Sequence, residues 1–282
     1  MMKRKLTAKN KAALAFSVIA TVILAACIGL QIAFTVADTI KCWRPGYEKV
    51  NLTEILGKDE LSAEDYELLY MQTGLTETGI KRALAKGENG KQRIRQIQED
   101  FFTEHKVNND FFAPIICTDS IEKKVANIYL EEGDILVTSS THFSGFRIGH
   151  AGLVTDAANS KVIQASAYGS TSEIGTVGDF TDRVNFMILS VKDADAATKK
   201  KVAEFADKNL RNKAYDVTAG VFTKKNSCER TQCAHLVWYA YKQFGIDIDG
   251  NGGLVVTPRN IANAPNIELV QVFGFDPVKL WR

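Results

Sequence analysis

The chain has 282 residues, 45% hydrophobic and 24% charged, with 35 Lys and Arg against 33 Asp and Glu. That usage excludes global disorder and collagen-like repeats, and a net charge of +2 excludes a strongly basic nucleic-acid binder. Five Cys are too few and too scattered for a disulfide scaffold.

The charge is uneven. Residues 1–37 hold Lys3, Arg4, Lys5, Lys9 and Lys11 and no acidic residue; taking those five from 35 leaves 30 basic against 33 acidic, so residues 38–282 carry −3. Residues 1–11 read as a basic tail. From Ala12 to Ala37 no charge appears, and at about 1.5 Å per residue such a run spans a bilayer core of roughly 30 Å. The basic cluster before it predicts a cytoplasmic tail and a body outside the membrane. The expectation is an uncleaved signal anchor over 12–37. Two alternatives stand beside it: a lipobox at Leu24-Ala25-Ala26-Cys27 that would lipidate Cys27, and cleavage after Ala37. The anchor is preferred because apolar residues continue for ten positions past Cys27, where a lipoprotein turns polar.

Residues 38–125 read as a linker (38–50) and a helical extension. Ser62 caps a predicted helix whose apolar positions are Tyr66, Leu69 and Tyr70. Thr76–Leu84 forms a second helix, broken by Gly87 and Gly90, and Lys91–Glu104 a third. From about residue 126 the pattern turns to strands: Asp134–Val137, Phe146–Thr155, Lys161–Ala165 and Val184–Val191. Ala196–Leu210 and Thr231–Phe244 read as helices, and Glu268–Phe273 as a last strand. Antiparallel strands among helices indicate an α+β fold.

Two residues carry the chemistry. His150 lies in Gly149-His150-Ala151-Gly152-Leu153-Val154, where flanking glycines let another group approach the ring. Cys233 lies in Thr231-Gln232-Cys233-Ala234-His235-Leu236-Val237-Trp238, in the first turn of an apolar helix. A helix N-terminus favours an anion, so a thiolate there is expected to have a lowered pKa, and a nearby imidazolium lowers it further. A helix-start Cys facing a strand His is the arrangement of a thiolate nucleophile. The competing reading is a buried thiol, or a bridge between Cys233 and Cys228.

Gly133-Asp134-Ile135-Leu136, the His150 segment, Val162-Ile163-Gln164-Ala165, the Cys233 segment and Val256-Thr257-Pro258 follow one another in an order that resembles the permuted papain-fold cysteine hydrolases of the YiiX/YebB type, relatives of the NlpC-like enzymes. The resemblance covers about residues 130–275 and implies a permuted papain-like hydrolase domain over 126–282, an antiparallel sheet packed on helices. It implies Cys233 as nucleophile, His150 as base and Gln164 as the third polar residue, in a place where the family often has Glu. A neutral amide can still orient an imidazole. Tyr215, in Ala214-Tyr215-Asp216, would support the oxyanion with the Cys233 N–H. His142 is expected at the cleft mouth or solvated, and His235 pointing away on the helix.

The expected activity is extracytoplasmic hydrolysis of amide bonds in cell-wall peptide through a thioester. The alternatives are an acyl-lipid hydrolase or acyltransferase of the same fold, and a binding module that kept the fold, to which the departure at Gln164 points. No cofactor is expected, and no metal: Cys228, Cys233 and His235 offer three ligand types, but the apolar helix makes packing the simpler account. The expected partners are peptidoglycan peptide or acyl lipid, and the membrane through 12–37, with no nucleic acid.

Overall fold

Residues Ala8–Ala37 form one helix, α1. The structure is a computed structural model that describes residues 8–37, 39–109, 116–143 and 146–281; Lys3, Arg4 and Lys5 of the basic tail lie outside them. Within α1, Ala12–Leu30 has a mean hydropathy of 2.5 and none of it is buried. Its length and composition are those of a membrane anchor or a signal sequence.

The segment read as a linker lies along the body. The Trp43 N–H donates to the Gly274 carbonyl at 3.1 Å, and the Trp43 ring packs on Phe101 at 5.6 Å. The helical extension follows as α2 (Ala63–Thr73), α3 (Glu77–Leu84) and α4 (Glu88–Phe102). Ser62 and Asp65 form a reciprocal capping box that sets the start of α2. Contrary to the expectation from sequence, Gly90 does not break a helix. It lies inside α4, where a Cβ would stand 1.8 Å from the Ala83 carbonyl oxygen; glycine is there so that α3 and α4 can approach. Leu56, Leu69, Leu75, Ile80, Ile94 and Ile97 give these helices an apolar core of their own.

The strands of the main sheet are β1 (Ile135–Thr138), β2 (His150–Asp156), β3 (Lys161–Gln164), β4 (Glu173–Thr176), β5 (Phe186–Val191) and β6 (Ile267–Phe273). They form one antiparallel sheet in the order β6-β5-β1-β2-β3-β4. The remaining helices are α5 (Gly178–Thr181), α6 (Ala196–Asn209), α7 (Cys233–Lys242) and α8 (Pro258–Ala262). The architecture is α+β: a mixed arrangement of helices on an antiparallel sheet.

Side chains alternate across the sheet. Ile135, Val137, Ala151 and Leu153 face α6 and α7, meeting Val202, Ala206, Leu236, Val237 and Tyr241. Leu136, Val154, Val162 and Ile188 face the other side, against Phe180 of α5. The central strands are therefore covered on both faces, and β1 is buried along its length. Strand β2 begins at His150, not at Phe146 as predicted. Gly149 has φ +70°, and this left-handed residue turns the chain into the strand. Strand β4 and helix α5 were not foreseen.

The extension docks on the sheet through Arg82. Its guanidinium donates to both Asp134 carboxylate oxygens (2.7 and 3.3 Å) and to the Ser190 hydroxyl (2.9 Å). Asp134 has no exposed surface; burial pushes its pKa up and Arg82 pulls it back. Arg82→Ala strands this carboxylate, and the expected loss in denaturant-measured stability is about 3 kcal/mol. Unchanged stability would mean that the pair contributes nothing to docking.

Candidate active site

Helix α7 starts at Cys233, and Gln232 is its N-cap. The Gln232 Oε1 accepts the Ala234 N–H at 2.9 Å and the Cys233 thiol at 3.4 Å, and its amide donates to the Val256 carbonyl. Leu236, Val237, Trp238 and Tyr241 are buried, each by about 1.5–3 kcal/mol of apolar transfer, which pins the helix and its first residue. The backbone N–H groups of Ala151, next to His150, and of Cys233 and Ala234 favour the anionic form of the Cys233 sulfur.

His150 comes from the end of β2. By strand alternation its ring projects to the α5 side, whereas Cys233 arrives from the α7 side. The two meet at the end of the sheet, where both line a cavity of about 130 Å3 with Gln232 and Tyr215. Among the described residues no hydrogen bond joins thiol and imidazole directly. The His150 ring stacks on Phe180, 5.3 Å between centroids and 15° between planes. Gly152 makes room for that ring: a Cβ there would stand 2.7 Å from Phe180. The glycines around His150 thus admit the protein's own groups, Phe180 at Gly152 and the Trp281 ring at Gly149.

Gln164 sits opposite Gly152 on β3, and its Oε1 lies 2.7 Å from His150 Nε2. Its Nε2 donates to Asp179 Oδ2 at 2.9 Å. Asp179 is also held by the Thr176 N–H (2.9 Å) and hydroxyl (3.2 Å). A carboxylate only accepts, so Asp179 fixes the NH2 end of Gln164 toward itself and the oxygen toward His150. His150 Nε2 must then carry the proton, which leaves Nδ1 as the basic nitrogen. Gly175 gives this bridge its space, since a Cβ would stand 2.3 Å from Gln164 Nε2 and 2.4 Å from Asp179 Oδ2. Sequence reasoning missed Asp179, although Thr176-Val177-Gly178-Asp179 carries the Thr-x-x-Asp spacing of a capping box. It missed Gln232 as well.

The expectation of a resting thiolate is corrected. Burial pushes the Cys233 thiol up to about 11, more than the three N–H groups around it pull it down. Burial also pushes His150 down to about 4, against the opposing hydrogen bond from Gln164. At neutral pH the pair is a thiol and a neutral imidazole. Each burial has a pH signature. The His150 ring has an ordinary value of 6.5, so its contribution to stability is present above 6.5 and lost as pH falls through about 4. The Cys233 thiol has an ordinary value of 9.0, so its contribution is present below 9.0 and lost as pH rises through about 11. Urea unfolding from pH 4 to 11 should show both declines, each about 3 kcal/mol at most. Cys233→Ala should lessen the alkaline one, to which the partly buried Cys42 and the buried Cys228 thiols, also pushed up by burial, contribute as well; an unaltered alkaline limb in that variant would sink the assignment.

Tyr215 is buried beside Cys233, and its hydroxyl pKa is raised, by burial first and then by the Cys233 and Asp216 charges. It is a proton donor at neutral pH. Cys228 is buried and does not bridge to Cys233. His142 is neither solvated nor in an open loop. It pairs across a short two-strand ladder with Cys117 and is 5% exposed, with its Nε2 3.5 Å from Asp119 Oδ1. His235 faces away from the cavity: its Nδ1 accepts the Thr231 hydroxyl at 2.9 Å and its Nε2 donates to the Lys225 carbonyl at 2.8 Å.

No family model matches the chain, and no curated protein does. One solved structure that it resembles is the metalloprotein yiiX from Escherichia coli O157:H7, with 18% identity and a TM-score of 0.40 over 50% of this chain and 96% of that one. Among the described residues, no three His, Cys, Asp or Glu side chains gather as a metal site.

Proposed function

We propose that this chain is a membrane-tethered cysteine hydrolase that cleaves an acyl bond through a thioester. The observation that carries the reading is the shared cavity, into which Cys233 and the end of the His150–Gln164–Asp179 chain both open. The Cys233 thiol gives its proton to His150 Nδ1 as the sulfur bonds the acyl carbon. The carbonyl electron pair moves onto oxygen, facing the Cys233 N–H and the Tyr215 hydroxyl. When the bond to nitrogen or oxygen breaks, Nδ1 returns the proton to the leaving group. Water then gives a proton to Nδ1 and adds to the thioester, and the departing sulfur takes that proton back.

A body outside the membrane puts cell-wall peptide within reach, and the amide bond of such a peptide is the first substrate class. The cavity lining favours a second, acyl lipid. Ile116, Ile148, Val217, Val255 and Val256 line it. Ile148 and Val217 are 37% and 57% exposed, so the apolar lining reaches the surface. Such an apolar mouth suits a hydrocarbon chain. The full chain in detergent, incubated with peptidoglycan sacculi and separately with acyl-lipid vesicles, decides between them. Release of muropeptides supports the first class and release of fatty acid the second. Equal inertness of wild type and Cys233→Ala on both would overturn the hydrolase and favour a binding module.

A further inference from the structure

A second cavity lies apart from the one at Cys233. It measures about 560 Å3 and lies between the helical extension and the α5 side of the sheet. Lys86, Asn89 and Arg93 line it from the extension, and Val177, Gly178 and Thr181 from α5 and the residue before it. No carboxylate is in the lining, and neither Lys86 nor Arg93 enters an ion pair among the described residues. Arg93 is held in place nevertheless. It donates to the Ile128 carbonyl at 3.3 Å, and its guanidinium lies over the Tyr129 ring at 5.7 Å. Two uncompensated cations in a concave site, one of them pre-positioned, favour an anion. Ile128, Leu130 and Val177 add apolar surface, so the shape suits an organic anion rather than a bare ion.

Helix α5 separates this cavity from the candidate active site. Gly178 and Thr181 face the cavity, while Asp179 and Phe180 between them hold His150, one through Gln164 and the other by stacking. Four consecutive residues thus touch both sites. We propose that this cavity binds a small organic anion and that its occupant, by shifting α5, sets the position of the His150 ring. The coupling rests on the reading of His150 as the base; the binding does not.

Phenyl phosphate is a suitable probe, with one charged end and one apolar end. Calorimetry on the full chain in detergent is expected to show binding that weakens about tenfold or more in Lys86→Gln/Arg93→Gln, the loss of charge-assisted contacts. Lys86→Glu is the control for folding, since that side chain is exposed and makes no ion pair; it should weaken binding too. The His150 ring resonance, assigned by its loss in His150→Ala, is expected to shift when the probe binds wild type and to stay fixed in the variants. Absence of binding by wild type, or binding in both variants as tight as in wild type, overturns the site. Binding with an unmoved His150 resonance overturns the coupling. Neither readout depends on turnover, so an inert Cys233 would overturn the hydrolase reading alone.

Discussion

Cys233→Ala is expected to lower the rate of acyl-bond hydrolysis by about 10³-fold or more, because the covalent route disappears and only binding and oxyanion donors remain. The lost sulfur borders the cavity of about 130 Å3, so its removal disturbs little packing and the variant should still fold; its largest expected stability change is at alkaline pH. A second measurement separates chemistry from binding. Iodoacetamide labels thiolates, and a thiol raised to about 11 is almost wholly protonated at pH 7. Labelling of Cys233 without substrate should therefore be slow at pH 7 and climb through about 11. Rapid labelling at neutral pH would show a resting ion pair and overturn the account of a thiol deprotonated only as it attacks.

Asp179→Ala is the second large effect, although Asp179 touches neither substrate nor sulfur. Without its carboxylate nothing fixes which end of the Gln164 amide faces His150. The NH2 end would then compete for the ring and favour the proton on Nδ1, the nitrogen that must accept from Cys233. Misplacing that proton is expected to cost about 10³-fold in kcat with little change in KM. A merely structural role predicts a different result, a loss of stability with kcat preserved in the folded fraction. Asp179→Glu would lengthen the side chain in a bridge that already fills the space beside Gly175. Gln164→Glu is informative for the same reason. It would place a second carboxylate where the amide now stands 2.9 Å from Asp179, and the two acids would have to share a proton. The neutral amide at 164, which looked like a lost carboxylate, is the residue that fits between an imidazole and an aspartate.

Much of this was legible from residue order. The apolar spacing after Cys233 placed α7, the Ser62 cap placed α2, and Gly-His-x-Gly marked β2 and its ring. The remainder depended on tertiary facts. Helix α5 has four residues, too few for any periodicity to register. The helix-start argument predicted a thiolate because it weighed the helix dipole and not burial, and burial follows from how α7 packs. Gly90 read as a breaker because the Ala83 carbonyl that demands it lies on another helix. His142 read as a loop residue because its strand partner, Cys117, is distant in sequence.

The amide at Gln164 has a consequence for where protons can travel. A carboxylate or a second imidazole can pass a proton from one side to the other, but an amide that accepts with its oxygen and donates with its nitrogen does so only as a high-energy tautomer. The line from Asp179 to His150 therefore conveys direction and blocks conduction. In the proposed reaction, a proton taken from Cys233 would have no exit toward the aspartate and would stay on the imidazole, available to the departing group.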